Sequence, residues 1–156
     1  MRYEKATEGI RIRVEPRYSL ADSEPNDGTF VFSYHIEMAN EGPSPAQLLF
    51  RHWRIHDSVG EDTEVDGEGV VGEQPELSPG GSHKYKSYCV LRSPAGYMEG
   101  YYTFVRPDGE RFRVQVPRFH FTAPFQISRR REVETSRSSP VAVIVSTRVR
   151  NSGSAR

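Results

Sequence analysis

Between its turn residues the chain repeatedly alternates apolar and polar side chains with a period of two, and this restricts its fold more than any other feature. In "GIRIRVEPRY" Ile10, Ile12 and Val14 share one face while Arg11, Arg13 and Glu15 share the other. That is the pattern of a strand with one side in a core and one in water. "FVFSYHIEM" repeats it, with Phe30, Phe32, Tyr34, Ile36 and Met38 set against Val31, Ser33, His35 and Glu37. "AQLLFRHWRIHD" sets Leu49, Arg51, Trp53 and Ile55 against Phe50, His52, Arg54 and His56, with Trp53 and Ile55 toward the core. "HKYKSYCVL", "MEGYYTFV" and "RFRVQV" continue the series, the last with Phe112, Val114 and Val116 inward, and "PRFHFTAPF" closes the body. "DSEPNDGTF", "NEGPSP", "SPAG" and "RPDGE" punctuate it, the last as a hairpin signal because Asp108-Gly109 suits a tight turn.

Eight Tyr, eight Phe, 13 Gly and 11 Pro against three Met agree with strands and turns rather than long helices. About seven short, half-polar strands predict an all-β fold, an immunoglobulin- or fibronectin type III-like sandwich of two antiparallel sheets. At 156 residues the chain reads as one such domain, 1–125, followed by a basic tail, 126–156, whose Arg, Ser and Gly content predicts disorder. The tail holds seven Arg against Glu132 and Glu134, a net +5, and the body holds 14 basic against 19 acidic residues, a net −5. Within the tail "VAVIV", residues 141–145, is a short strand candidate. A basic tail on an acidic body is no nucleic-acid signature, so no nucleic-acid partner is expected.

No apolar run is long enough to cross a bilayer as a helix, the N-terminus lacks the apolar stretch of a signal peptide, and the single cysteine, Cys89, fits a reducing compartment. A cytoplasmic protein without membrane insertion is the expectation.

"GEGVVGEQP" places Gly67, Gly69 and Gly72 at the spacing G-x-G-x-x-G. In a dinucleotide site a helix must follow, so that its first amides face the pyrophosphate. Here "EQPELSPGG" follows, and Pro75, Pro79, Gly80 and Gly81 forbid such a helix. Eight carboxylates between residues 57 and 76, with no Lys or Arg among them, repel phosphate as well. The glycines therefore read as a bulge or a close backbone approach. The carboxylates raise a second reading, a small-ligand or divalent-cation/pyrophosphate sensor, although no EF-hand spacing occurs. His52 and His56, four apart on a strand, lie about 13 Å from each other and cannot grip one transition metal. No nucleophile elbow, zinc-protease helix motif or Cys pair is present. No catalytic residue, metal ligand or cofactor is assigned.

The run from Phe50 to Val105 resembles the ApaG family. The resemblance is carried by Trp53, by "EVDGEGVVGEQP" from Glu64 to Pro75, by Pro79-Gly80, Tyr85 and Ser87, by "SPAGYMEGYY" with Ser93, Pro94, Gly96, Met98, Gly100 and Tyr102, and by Phe119. The likeness covers roughly residues 3–125 and implies a fibronectin type III-like sandwich. It also implies a binding module, because related domains are fused to F-box and polymerase-associated proteins, and an accessory role in cobalt and magnesium homeostasis. No catalytic residue comes with it. The expected function is a non-enzymatic protein-interaction domain engaging an unidentified protein partner, with self-association into a homodimer as one form of that binding. The candidate surface is Glu68, Gly69, Gly72, Glu73, Gln74 and Pro75, with Tyr85, Tyr97 and Tyr101 as aromatic anchors.

Overall fold

The computed structural model describes residues 1–124; the tail assigned to 126–156 lies outside the described residues. Nine strands run β1 Tyr3–Thr7, β2 Ile10–Tyr18, β3 Phe30–Asn40, β4 Ala46–Asp57, β5 Glu61–Glu68, β6 Glu76–Leu77, β7 Ser82–Leu91, β8 Ala95–Val105 and β9 Arg111–Thr122. They form two antiparallel sheets, ordered β1-β2-β3-β7 and β5-β4-β8-β9, with β6 continuing the line of β5 along β4. The described residues hold one turn of 3₁₀ helix, Pro25–Asp27, and no α-helix.

The inward sets of the alternating strands meet between the sheets. Ile10, Ile12, Val14, Met38, Leu48, Met98, Tyr102, Phe104, Val114 and Phe119 have no measurable exposure. Trp53 packs edge-on to Tyr34, Tyr102 and Phe119 at centroid distances of 5.8, 5.9 and 5.9 Å, the geometry that ring quadrupoles favour. Cys89 is buried in this core.

Three departures from simple alternation have local causes. In β4 the register against β8 slips between Leu48 and Phe50, so Leu48 rather than Leu49 enters the core and the phase is restored at Trp53. In β9 the register slips opposite Glu99, and Pro117 sits in that slip, where a missing N–H costs no ladder bond. "RFRVQV" and "PRFHF" are therefore one strand. Pro16 lies in β2 beyond the reach of β1, whose pairing ends at Tyr3 opposite Val14. The strand β1 was not expected from "YEKAT", which lacks alternation; the Glu8-Gly9 turn, with φ of 48° and 88°, folds it onto β2. In the loop from β8 to β9 only Gly109 has positive φ, at 92°, which makes a three-residue loop rather than a two-residue one.

One buried polar side chain ties the loops of one end. Asn40, 1% exposed, donates from Nδ2 to the carbonyls of Ser44 and Leu77 at 2.8 and 3.0 Å and accepts from Gly42 N at 3.0 Å.

Candidate functional site

The three glycines of residues 67–72 serve three separate purposes. Gly67 lies in β5 directly beneath the Arg51 guanidinium, where a Cβ would stand 2.5 Å from Arg51 Cζ. Gly69 has φ of 63°, and a Cβ there would meet Glu73 O at 2.3 Å. Gly72 has open space around it and is required only for its φ of 79°. Val70 and Glu73 exchange both backbone hydrogen bonds, 2.8 and 3.0 Å, around Val71 and Gly72. With φ of 49° at Val71 and 79° at Gly72, this is a type I′ turn.

The turn is fastened to β4 from both sides. Leu49, the residue skipped in the β4–β8 register, turns its carbonyl to Gly69 N at 2.8 Å and Gln74 Nε2 at 3.0 Å. Arg51 Nη1 donates to the carbonyls of Glu68 and Gly69 at 3.0 and 2.8 Å. Gln47 Nε2 donates to Gln74 O at 3.1 Å, and Leu48 N to Pro75 O at 3.0 Å. The backbone after Gly72 runs extended into β6, and the amides of Val70 and Glu73 are consumed by each other. No helix N-terminus faces an anion here, in agreement with the reading of the flanking prolines.

What this framework holds out is Val71, 60% exposed. Sequence reasoning took the glycines and acids of this stretch as the candidate surface and passed over Val71. A β-branched residue at positive φ is strained by about 1–3 kcal/mol, and strain of this kind persists only where the surroundings impose it. Glu68, Gly72, Glu73 and Gln74 are exposed around it, Pro75 is half-buried and Gly69 is buried beneath the turn.

The three tyrosines lie elsewhere. Tyr85 points from β7 into the sandwich, its hydroxyl 2.6 Å from that of Tyr102, so it is no surface anchor. Burial is the first cause that pushes both phenols well above the ordinary tyrosine range. Neutral hydroxyls are the form the fold accepts, so the contribution of this pair is present below the unfolded tyrosine value of about 10 and is lost as pH rises above it. Alkaline titration monitored at the tyrosinate absorbance is expected to show two tyrosines that ionise only when the circular dichroism of the fold disappears, and Tyr85→Phe should lower that number.

Tyr97 and Tyr101 sit on the outer face of the five-stranded sheet in two matching rows. His56 stacks on Tyr97 and His52 on Tyr101, each at 4.8 Å, following the registers His56↔Tyr97 and His52↔Tyr101. Arg118 covers the Tyr97 ring at 3.9 Å and Arg113 covers Tyr101 at 4.3 Å. On the β5 side Asp62 Oδ1 lies 2.6 Å from His56 Nδ1, and Asp66 Oδ1 lies 2.6 Å from His52 Nδ1. The hydrogen bond to His56 is the main reason the Asp62 carboxyl is held below the usual carboxylate range. The sequence placed both histidines on one face; the acids and tyrosines they meet come from strand register, which residue spacing alone does not give.

The acidic stretch is accordingly dispersed. Asp57 is buried and accepts from Arg92 N at 2.7 Å and from Ser93 Oγ, while Asp62 and Asp66 are taken by the histidines. No group of three or more His, Cys, Asp or Glu able to hold a metal ion occurs among the described residues. Among the same residues no helix is long and apolar enough to cross a membrane.

Comparison with known proteins gives a consistent result. Residues 20–106 match the ApaG domain family. Protein ApaG of Anaeromyxobacter dehalogenans is 47% identical over 118 residues, covering 76% of this chain and 93% of that protein. Protein ApaG of Rhodospirillum centenum is 42% identical over 127 residues, covering 81% of this chain and 98% of that protein. Among solved structures, the ApaA protein from Bordetella pertussis superposes with a TM-score of 0.72 at 38% identity, covering 78% of this chain and 96% of that one.

Proposed function

We propose that this chain, which belongs to the ApaG family, is a non-enzymatic interaction domain whose recognition element is the hairpin tip at Val71. One observation carries the reading: the fold spends hydrogen bonds from Arg51, Gln47 and Gln74 on holding a β-branched residue strained and 60% exposed. Packing does not require it, since glycine would make the same turn without the strain. A rigid apolar tip flanked by Glu68, Glu73 and Gln74 is a contact that binds without paying for loop ordering. The partner is a protein with a small apolar pocket bordered by basic or amide groups, met in the cytoplasm. The immunoglobulin/fibronectin type III-like class of the sandwich belongs to this reading, as a rigid scaffold with functional loops at its ends. An accessory part in cobalt and magnesium homeostasis would be exercised through that partner. The dispersed carboxylates of residues 57–76 favour this over an ion or pyrophosphate sensor.

The test is Val71→Gly. The variant is expected to fold with equal stability or a gain of up to about 1 kcal/mol in denaturant unfolding, because relieved strain offsets the entropy of a new glycine. In a crosslinked pull-down from the native cell it should lose the partner that the unaltered protein retains. A Val71→Gly protein that captures every partner of the original would remove the tip as the recognition element.

A further inference from the structure

The outer face of the five-stranded sheet is built from rows of side chains that run across four strands. The registers set Glu68, Phe50, Thr103 and Arg113 in one row, Asp66, His52, Tyr101 and Gln115 in another, and Asp62, His56, Tyr97 and His120 in a third. Between the last two, Glu64, Arg54 and Glu99 lead to the slip in β9, where Arg118 Nε donates to Glu99 Oε1 at 3.0 Å. Every row therefore begins on β5 with a carboxylate, and all but the one ending in Gln115 finish on β9 with a basic side chain. The exposed residues of β5 include no base, and those of β9 include no acid. One margin of the face is negative and the other positive.

Its side chains are of the kinds that interfaces favour. The three lysines of the chain all lie on β1 and β7 of the other sheet, so this face is free of lysine and displays Tyr, His and Arg. Tyrosine and arginine are enriched where proteins meet, and lysine is depleted there. Arg113 and Arg118 are already held against Tyr101 and Tyr97, so binding has little rotamer freedom left to remove. Four strands of up to 12 residues make a face of roughly 750 Å², close to the roughly 800 Å² that each partner contributes to a standard interface.

We propose that this face binds a second copy of the chain, sheet against sheet, with the two-fold axis parallel to the strands. Such a rotation exchanges the two margins, so β5 of each copy lies over β9 of the other. Glu68 then meets Arg113 and Glu64 meets Arg118, each pair occurring twice because the contact is isologous. An axis across the strands would set β5 on β5 and β9 on β9, where like charges repel. Packed sheets keep their strands within about 30° of each other, and because each margin carries one sign, a shift by one row still leaves acid facing base. The inference is independent of the role given to Val71.

Sedimentation equilibrium with two charge variants reads the proposal. The original protein is expected to sediment at twice the mass of one chain at about 50 μM, since interfaces of this size range from micromolar to picomolar affinity. Glu64→Arg/Glu68→Arg reverses the contact points of one margin, and Arg113→Glu/Arg118→Glu those of the other. Each variant alone should dissociate at least about a hundredfold more readily than the original. Mixed one to one, they should form a heterodimer of near-original affinity, because reversed margin then meets reversed margin and original meets original. The near-ultraviolet signal of the core rings reports folding; where a double variant loses it, Glu68→Arg and Arg113→Glu carry the same exchange singly. A single-chain mass for the original would overturn the proposal, as would a variant that self-associates unchanged or a mixture that stays monomeric. Loss of the dimer in Val71→Gly would overturn it too, because the contact would then lie at the tip.

Discussion

Gly100→Ala is expected to destabilise the domain by about 3 kcal/mol, seen as a loss on the order of 10 °C in the thermal midpoint. Gly100 lies opposite Trp53 in the β4–β8 register. A Cβ at this position would stand 1.9 Å from His52 O and 3.1 Å from Trp53 Cα. The obstacle is backbone in the centre of a sheet, which cannot rotate away as a side chain can. To admit one methyl group, β4 and β8 must separate where the neighbouring residues carry His52 on Tyr101 and Trp53 on Tyr102. Gly96 meets the same limit four residues earlier, with His56 O at 2.2 Å from its would-be Cβ. By contrast Gly60, Gly72, Gly80 and Gly109 have open space, and alanine there costs only the strain of positive φ. An alanine scan over these positions followed by thermal unfolding should separate the two groups cleanly. A Gly100→Ala protein melting with the original would show that the sheet is more compliant than this geometry allows.

The same glycines show how far residue patterns reach. Alternation around Ile10, Phe32, Trp53 and Phe112 gave the sandwich and most of its core, because period-two burial follows directly from the pleat. Flanking prolines were enough to refuse a helix after Gly72. Pattern reading missed places where the chain departs from its own period: the slip at Leu49, the Pro117 slip in β9, and β1, held by a turn rather than by apolar residues. It also missed what depends on register across strands. Tyr85 reads as an exposed aromatic until β7 is set against β3, which turns its hydroxyl inward to Tyr102. Val71 looked like an ordinary apolar residue because its distinction is a φ of 49°, which no spacing reports. The bend in Glu68 to Pro75 was therefore legible from its glycines, and the exposed side chain that the bend displays was not.

Trp53→Ala is expected to cost about 4 kcal/mol, the usual range for removing a buried ring of this size. Trp53 is 2% exposed and touches Tyr34, Tyr102 and Phe119 edge-on, so neither sheet can close the space by moving a single side chain. Combining the change with Gly100→Ala distinguishes two accounts of the glycine. If the indole ring were what excludes a Cβ at residue 100, its removal would relieve the clash and the double variant would be little worse than Trp53→Ala. Because the three nearest atoms, His52 O, His52 C and Trp53 Cα, are all backbone, removing the ring leaves the obstacle in place, and the two costs should sum to about 7 kcal/mol less whatever coupling these paired positions have. That sum is comparable with the whole stability of an ordinary domain, so the double variant should be unfolded at room temperature while each single variant still shows a cooperative transition. Chemical denaturation of the four proteins, read by the near-ultraviolet signal of the tyrosine cluster, measures the coupling; a double variant as stable as Trp53→Ala would shift the constraint from the β4 backbone to the ring.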